Sequence, residues 1–194
     1  MDLQRHKNIF NTIAPIYNLF YKRQYRGYGE LLNRFEAKLC IPEKGAVLDI
    51  GCGTGALLQA FRKKGYIVQG VDLAGGMLHH ARRRGLDCRI ADVIRGLDFG
   101  ENSFDLVTAS FVVHGLDKEK RMILFKEAKR LSKSKVLIHD YNSRRSFFIS
   151  FIEYMEGGDY FNFIKSGLDE MEDVFSHVEL IPVRKFNNWY ICTV

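Results

Sequence analysis

The chain is poor in the residues that staple small extracellular proteins together. Its 194 residues include four cysteines, Cys40, Cys52, Cys88 and Cys192, and no Cys-x-x-Cys pair. That usage offers neither a disulfide framework nor a zinc site, and it suits a reducing compartment, so a cytoplasmic location is expected. No run of about 18 apolar residues occurs, which excludes a membrane-spanning helix. The opening Met1–Phe10 stretch lacks the continuous apolar segment of a secretory signal. Cys192 stands third from the end, the wrong place for a prenylation box. Internal repeats and low-complexity tracts are absent as well, and the length fits one compact domain.

What is present is ordinary globular composition, 46% hydrophobic and 27% charged, with a net charge of +6. The excess of cations comes from the clusters Arg62-Lys63-Lys64, Arg82-Arg83-Arg84 and Arg144-Arg145. Two of these sit near the ends of predicted helices, where cations favour the negative end of the macrodipole. The same clusters would also suit an anionic lipid or nucleic-acid surface, so charge alone decides nothing.

After about residue 45, short β-rich runs alternate with helical spacings. Strands are expected at 46–50, 67–72, 88–91, 104–109 and 135–139, separated by helices that carry Leu57, Leu58 and Phe61, then Met77, Leu78 and Ala81, then Leu124, Ala128 and Leu131. This alternation predicts a parallel sheet covered on both faces. The tail differs: helical pattern at 147–155, a Gly157-Gly158 break, a helix over 168–175, and two successive strands at 178–183 and 189–194. An antiparallel pair is thus expected at one edge. The first forty residues are helical in pattern and rich in aromatics, Phe10, Tyr17, Phe20, Tyr21, Tyr25 and Tyr28 among them.

The chemistry is carried by Val47-Leu-Asp-Ile-Gly-Cys-Gly-Thr-Gly55. Glycines at 51, 53 and 55 allow a tight turn after a strand and close approach of backbone to a ligand, with helix amides facing it. By spacing alone, Gly51-x-Gly53-x-x-Ala56 also satisfies the relaxed nicotinamide fingerprint. Asp49 argues otherwise, because a carboxylate two residues before the first glycine repels a pyrophosphate and attracts a cation. Asp72 closes the second strand, where it can accept both hydroxyls of a ribose. Asp92 follows the third strand, where it can accept an adenine amino group.

With these residues in place, the segment from about 45 to 140 resembles the class I S-adenosylmethionine-dependent methyltransferases. It carries the Asp-Ile-Gly-Cys-Gly-Thr-Gly loop, Val71-Asp72-Leu73 with Met77-Leu78, Ala91-Asp92-Val93 and Ser103-Phe104-Asp105 in order. The resemblance implies an α/β, Rossmann-like seven-stranded sheet, mostly parallel with the last strand antiparallel and helices on both faces. It implies S-adenosylmethionine as cofactor and S-adenosylhomocysteine as product. Asp49, Gly51, Cys52 and Gly53 would then surround the methionine end, Asp72 the ribose, and Asp92 with Val93 the adenine. Leu73 and Met77 would pack on the nucleoside and Ser110 would line the floor. Two departures stand out: Ala74-Gly75-Gly76 where the family usually has Ser or Thr, and Ser132-Lys-Ser-Lys135 where a Gly-Gly turn is common.

The opening Phe10-Asn-Thr-Ile-Ala-Pro-Ile-Tyr17-Asn18 is similar to that of ubiquinone/menaquinone-type methyltransferases, with Asn18 in place of the usual Asp. That similarity implies a helical lid over residues 1–40 in which Tyr17 reaches the cofactor. Residues 45–140 are then the cofactor-binding core, 143–166 a helical insertion after the fifth strand, and 168–194 a final helix and strand pair. Aromatics at 147, 148, 151, 154, 160, 161 and 163 hint at an apolar or aromatic small-molecule acceptor, or pack a helical cap. His114, just beyond the fourth strand, is the candidate catalytic base. His139-Asp140-Tyr141-Asn142 ends the fifth strand, but a second acidic ligand is not identifiable and no metal is assigned. Nucleic acid is not expected as partner: no Asn-Pro-Pro-Tyr motif follows the fourth strand, although the pI near 9.1 keeps an RNA methyltransferase open. A cofactor-binding protein without catalysis also stays open. An oxidoreductase is disfavoured by the missing Tyr-x-x-x-Lys dyad.

Overall fold

The computed structural model describes residues 3–144 and 159–194; the side chains of most of the first seventeen residues lie outside that description. The chain opens with one long helix, α1 (Leu3–Phe35), and continues through β1 (Ala46–Ile50), α2 (Ala56–Lys63), β2 (Ile67–Asp72), α3 (Gly75–Arg83) and β3 (Asp87–Ile90). It then runs through β4 (Phe104–Ser110), α4 (Lys118–Leu131), β5 (Ser132–Tyr141), α5 (Tyr160–Glu172), β6 (His177–Arg184) and β7 (Asn187–Thr193). The seven strands form one sheet in the order β3-β2-β1-β4-β5-β7-β6. β1 to β5 are mutually parallel, whereas β7 runs antiparallel to both β5 and β6. This is the expected Rossmann-like sheet with its antiparallel edge.

The reason for two covered faces is visible in the alternation of the central strands. Val47, Leu106 and Leu137 point into a core shared with Leu31 and Leu32 of α1, Leu57, Leu58 and Phe61 of α2, and Leu78 of α3. Their neighbours Leu48, Val107 and Ile138 point into the opposite core, with Leu124, Phe125 and Leu131 of α4 and Phe163 and Met171 of α5. Successive residues on a strand face opposite sides, so an unbroken apolar run fills two cores at once. The strand order reverses between β1 and β4, which opens a crevice at their carboxyl ends.

Three boundaries differ from the sequence expectation. The second half of α1 also packs into the core: Leu32 is fully buried, and its neighbours Tyr28 and Phe35 pack beside it against the sheet. Earlier on α1, Ala14 covers Ala74 and Met77 at the start of α3. α5 runs straight across the expected break at 166–168, because Gly167 is a close-packing position: a Cβ there would meet the ring of Phe163 at 2.5 Å. Finally, Ser132-Lys-Ser-Lys135 is the first part of β5 and follows α4 with no intervening loop. The expected helix at 147–155, the Gly157-Gly158 break and the aromatics at 147, 148, 151 and 154 lie outside the described residues.

Candidate active site at the strand ends

The glycine loop leaves β1 and is tied at once to its neighbour strand, with the amides of Gly51 and Cys52 both donating to the Val71 carbonyl at 2.8 and 3.0 Å. Gly51 has φ +72°, in the left-handed region, and a Cβ there would run into the side chain of Val112. Only glycine satisfies both conditions. Asp72 closes the loop from the other side: its Oδ2 accepts from the Gly53 amide and its Oδ1 from the Ala74 amide, each at 2.8 Å. The carboxylate thus shapes the loop and, through Ala74, the start of α3. α3 itself has Ala74 as its N-cap, without a side-chain cap bond, the Ser or Thr usual in the resembling family being absent.

Asp49 lies within β1 and is buried, held by a 2.7 Å hydrogen bond from the Thr108 hydroxyl on β4. Burial raises its carboxyl to about 7, and the nearby Asp72 charge pushes in the same direction. Burial also raises Asp72, against the opposing pull of backbone amides. Asp92 follows β3 and caps the short 3-10 turn Val93–Arg95, its Oδ1 accepting from the Ile94 amide at 3.0 Å. Ser110, the last residue of β4, bonds to the Tyr28 hydroxyl at 2.9 Å and contacts His139 Nδ1 at 3.2 Å.

One cavity gathers these residues. Asp49, Gly51, Cys52, Gly53, Asp72, Leu73, Met77, Asp92, Val93 and Ser110 all line it, together with Gln24 and Tyr28 of α1 and with Phe111, Val112 and Leu116. Its described wall carries three carboxylates and no lysine, arginine or histidine. Such a wall accepts a cation and resists a pyrophosphate. Of the residues expected at the cofactor, Tyr17 alone is not placed there: it lies on α1, and its side chain is outside the description.

His114 does not line this cavity. It lies in the short turn Val113–Gly115 beyond β4, largely buried, with Nδ1 2.7 Å from Oδ1 of Asp140 on β5. Asp140 is fully buried and accepts three backbone amides as well, Val113, His114 and Tyr141. Phe111 separates this pair from the cavity: it lines the cavity, and its ring packs against His139 (4.7 Å), Tyr141 (5.3 Å) and His114 (6.5 Å). Phe111 adopts φ +55°, uncommon for an aromatic residue. His139 is neutral, because burial lowers its pKa to about 4.

Sequence reasoning missed Gln24, Phe111 and the partnership of Asp140 with His114. Tyr28 stood among the α1 aromatics without a role. The Asp140 partnership rests on β4 and β5 being neighbours, and no spacing along the chain encodes that contact.

The known proteins agree with this geometry. Residues 47–135 match the family model described as a methyltransferase domain. A demethylmenaquinone methyltransferase of Renibacterium salmoninarum is 31% identical over 121 residues, 59% of this chain and 49% of that protein. A malonyl-[acyl-carrier protein] O-methyltransferase of Erwinia pyrifoliae is 41% identical over 68 residues, 34% of this chain and 26% of that protein. The matched stretches thus span about half or less of these relatives' lengths. A solved S-adenosylmethionine-dependent methyltransferase of Aquifex aeolicus superposes with a TM-score of 0.65 at 19% identity, covering 84% of this chain and 88% of that one. Residues 47–135 are thus a stretch similar to methyltransferase domains on a sheet shared with solved S-adenosylmethionine-dependent methyltransferases, and among the described residues no helix is long and apolar enough to cross a membrane.

Proposed function

We propose that the chain transfers the methyl group of S-adenosylmethionine to a small-molecule acceptor by in-line displacement. The observation that carries this reading is the cavity whose described wall bears three carboxylates and no cationic side chain. Asp49 attracts the cationic methionine end, beside the glycine loop that lets the backbone approach the ligand closely. Asp72 takes the ribose hydroxyls with lone pairs left over from its two amide bonds. Asp92 and Val93 receive the adenine, Leu73 and Met77 pack on the nucleoside, and Ser110 forms the floor under Tyr28.

When bound, S-adenosylmethionine supplies an activated methyl group on a good leaving group. The residues of the chain therefore contribute alignment and exclusion of water more than bond-making power. Gln24 and Tyr28 of α1 line the cavity, and Tyr17 is proposed as the lid residue about two to three turns earlier. His114 is the proposed base for an acceptor that must lose a proton. Incubation of the purified protein with methyl-labelled S-adenosylmethionine and a panel of small organic acceptors tests the proposal. Label in an organic product supports it, whereas S-adenosylhomocysteine binding with no transfer to any of the panel would favour a cofactor-binding role without catalysis.

A further inference from the structure

We infer that the face formed by α1, α2 and α3 docks onto an anionic phospholipid bilayer. Leu19 and Phe20 enter the headgroup layer there, and a cationic groove beside them receives lipid phosphates. The inference goes beyond the methyltransferase reading and does not depend on it. Three observations carry it. First, charge is segregated between the two sides of the sheet. α1 holds no Asp or Glu before Glu30, and α2 and α3 hold none at all. The helices of the opposite face, α4 and α5, mix both signs. α1, α2 and α3 share one core on one side of the sheet, so their cations gather on that side. Glu30 and Glu36, the first acids to follow, are each paired, with Arg184 and Lys64.

Second, a groove between these helices is lined by Lys22, Arg26, Arg62 and Arg84 and by no acidic residue. Neutral acceptors hold its two deeper guanidinium groups. Arg62 donates to the carbonyls of Gly85 and Arg84 at 2.8 and 2.9 Å, and Arg84 donates to the carbonyl of His80 at 2.7 Å. Fixed in place without a carboxylate to neutralise them, these groups suit a phosphate.

Third, the outer surface of α1 sets apolar side chains among cations. Leu19, Lys22, Arg23 and Arg26 fall at i, i+3, i+4 and i+7, which places them on one helix face. Leu19 is 79% exposed and the adjacent Phe20 51%. A bilayer boundary takes up both kinds of group: Leu and Phe leave water for the acyl margin while Lys and Arg meet the anionic headgroups. A nucleic acid would engage the cations and leave Leu19 and Phe20 in water. The Tyr21 ring in the groove is also a poor platform for a base, because the Arg84 guanidinium already lies over it at 3.6 Å.

The test is co-sedimentation of the purified chain with vesicles of phosphatidylcholine alone and of phosphatidylcholine mixed equally with phosphatidylglycerol. Binding is expected to the mixed vesicles only, and to weaken as salt screens the charges. Arg23→Glu with Arg26→Glu should weaken it by at least about tenfold. Leu19→Ser with Phe20→Ser leaves the charge intact and should also weaken it, while retention on single-stranded RNA stays unchanged. All four positions are exposed, so both double variants should keep the parent's melting temperature. No binding to mixed vesicles, or equal binding to both kinds, would overturn the inference. So would unaltered binding by the Leu19→Ser, Phe20→Ser variant, or tighter retention on RNA than on vesicles. Release of the chain from vesicles by inorganic phosphate at unchanged ionic strength would reduce the groove to a free-phosphate site and overturn the bilayer as its partner. Failure to bind S-adenosylhomocysteine would count against the cofactor reading and leave this one standing.

Discussion

At the scale of single residues, Asp49 and Asp72 do two jobs each. Asp72 orders the glycine loop through its amide bonds and is the residue proposed to accept the ribose. Asp49, at 2% exposure, has its carboxyl raised from 3.8 to about 7. The sign matters. With the folded pKa above the unfolded one, the folded chain holds an extra proton between those values, so this group favours folding as the pH falls and opposes it above about 7. A sulfonium beside it favours the ionised form and reverses that preference. S-Adenosylmethionine should therefore bind about tenfold more weakly at pH 6 than at pH 8, read by titration calorimetry. Asp49→Asn should bind weakly and without that slope. A flat profile in the parent chain would remove Asp49 from the methionine end. Every one of these carboxylates was legible in the sequence, because strand-end acids beside a Gly-rich loop are fixed by local spacing.

The elements show where local spacing stops being enough. Gly167 falls between the expected insertion over 143–166 and the expected final helix from 168, yet it sits in the third turn of α5, where Phe163, one turn earlier, fills the space its side chain would need. Gly167→Ala removes a helix penalty of about 1 kcal/mol but overpacks a buried ring at a cost of about 1–3 kcal/mol. The net expectation is a lower melting temperature, and a higher one would show that the ring of Phe163 moves aside without loss. The fate of α1 was hidden for a similar reason. Its aromatic pattern suggested a cover, but whether Leu31 and Leu32 meet solvent or sheet depends on α2 and β7, far along the chain. The His114–Asp140 pair belongs here too, since only the pairing of β4 with β5 brings the two together.

At the scale of the whole molecule, the sheet places every strand-end acid on one rim, while the opposite helices hold the rim in position. Arg121 of α4, fully buried, makes a bidentate contact with Glu170 of α5 at 2.6 and 2.8 Å and a further ion pair with Asp159. The same guanidinium donates to the Leu116 carbonyl at the cavity wall. Removing one partner strands a buried charge, so Glu170→Ala should cost about 3–5 kcal/mol in urea denaturation. A loss below about 1 kcal/mol would mean that water reaches the pair and that the fold does not depend on it. The overall topology was readable because alternating strands and helices leave few ways to build a parallel sheet. The antiparallel hairpin at its edge was read from two successive strand patterns.

The central claim is that the cavity is an S-adenosylmethionine site, and calorimetric titration of the purified chain with S-adenosylhomocysteine, with NAD as control, tests it most directly. The account predicts micromolar binding of S-adenosylhomocysteine, strong weakening in Asp72→Ala, and no heat from NAD. Tight NAD binding with no response to S-adenosylhomocysteine would contradict it and return the glycine loop to the dinucleotide-binding class.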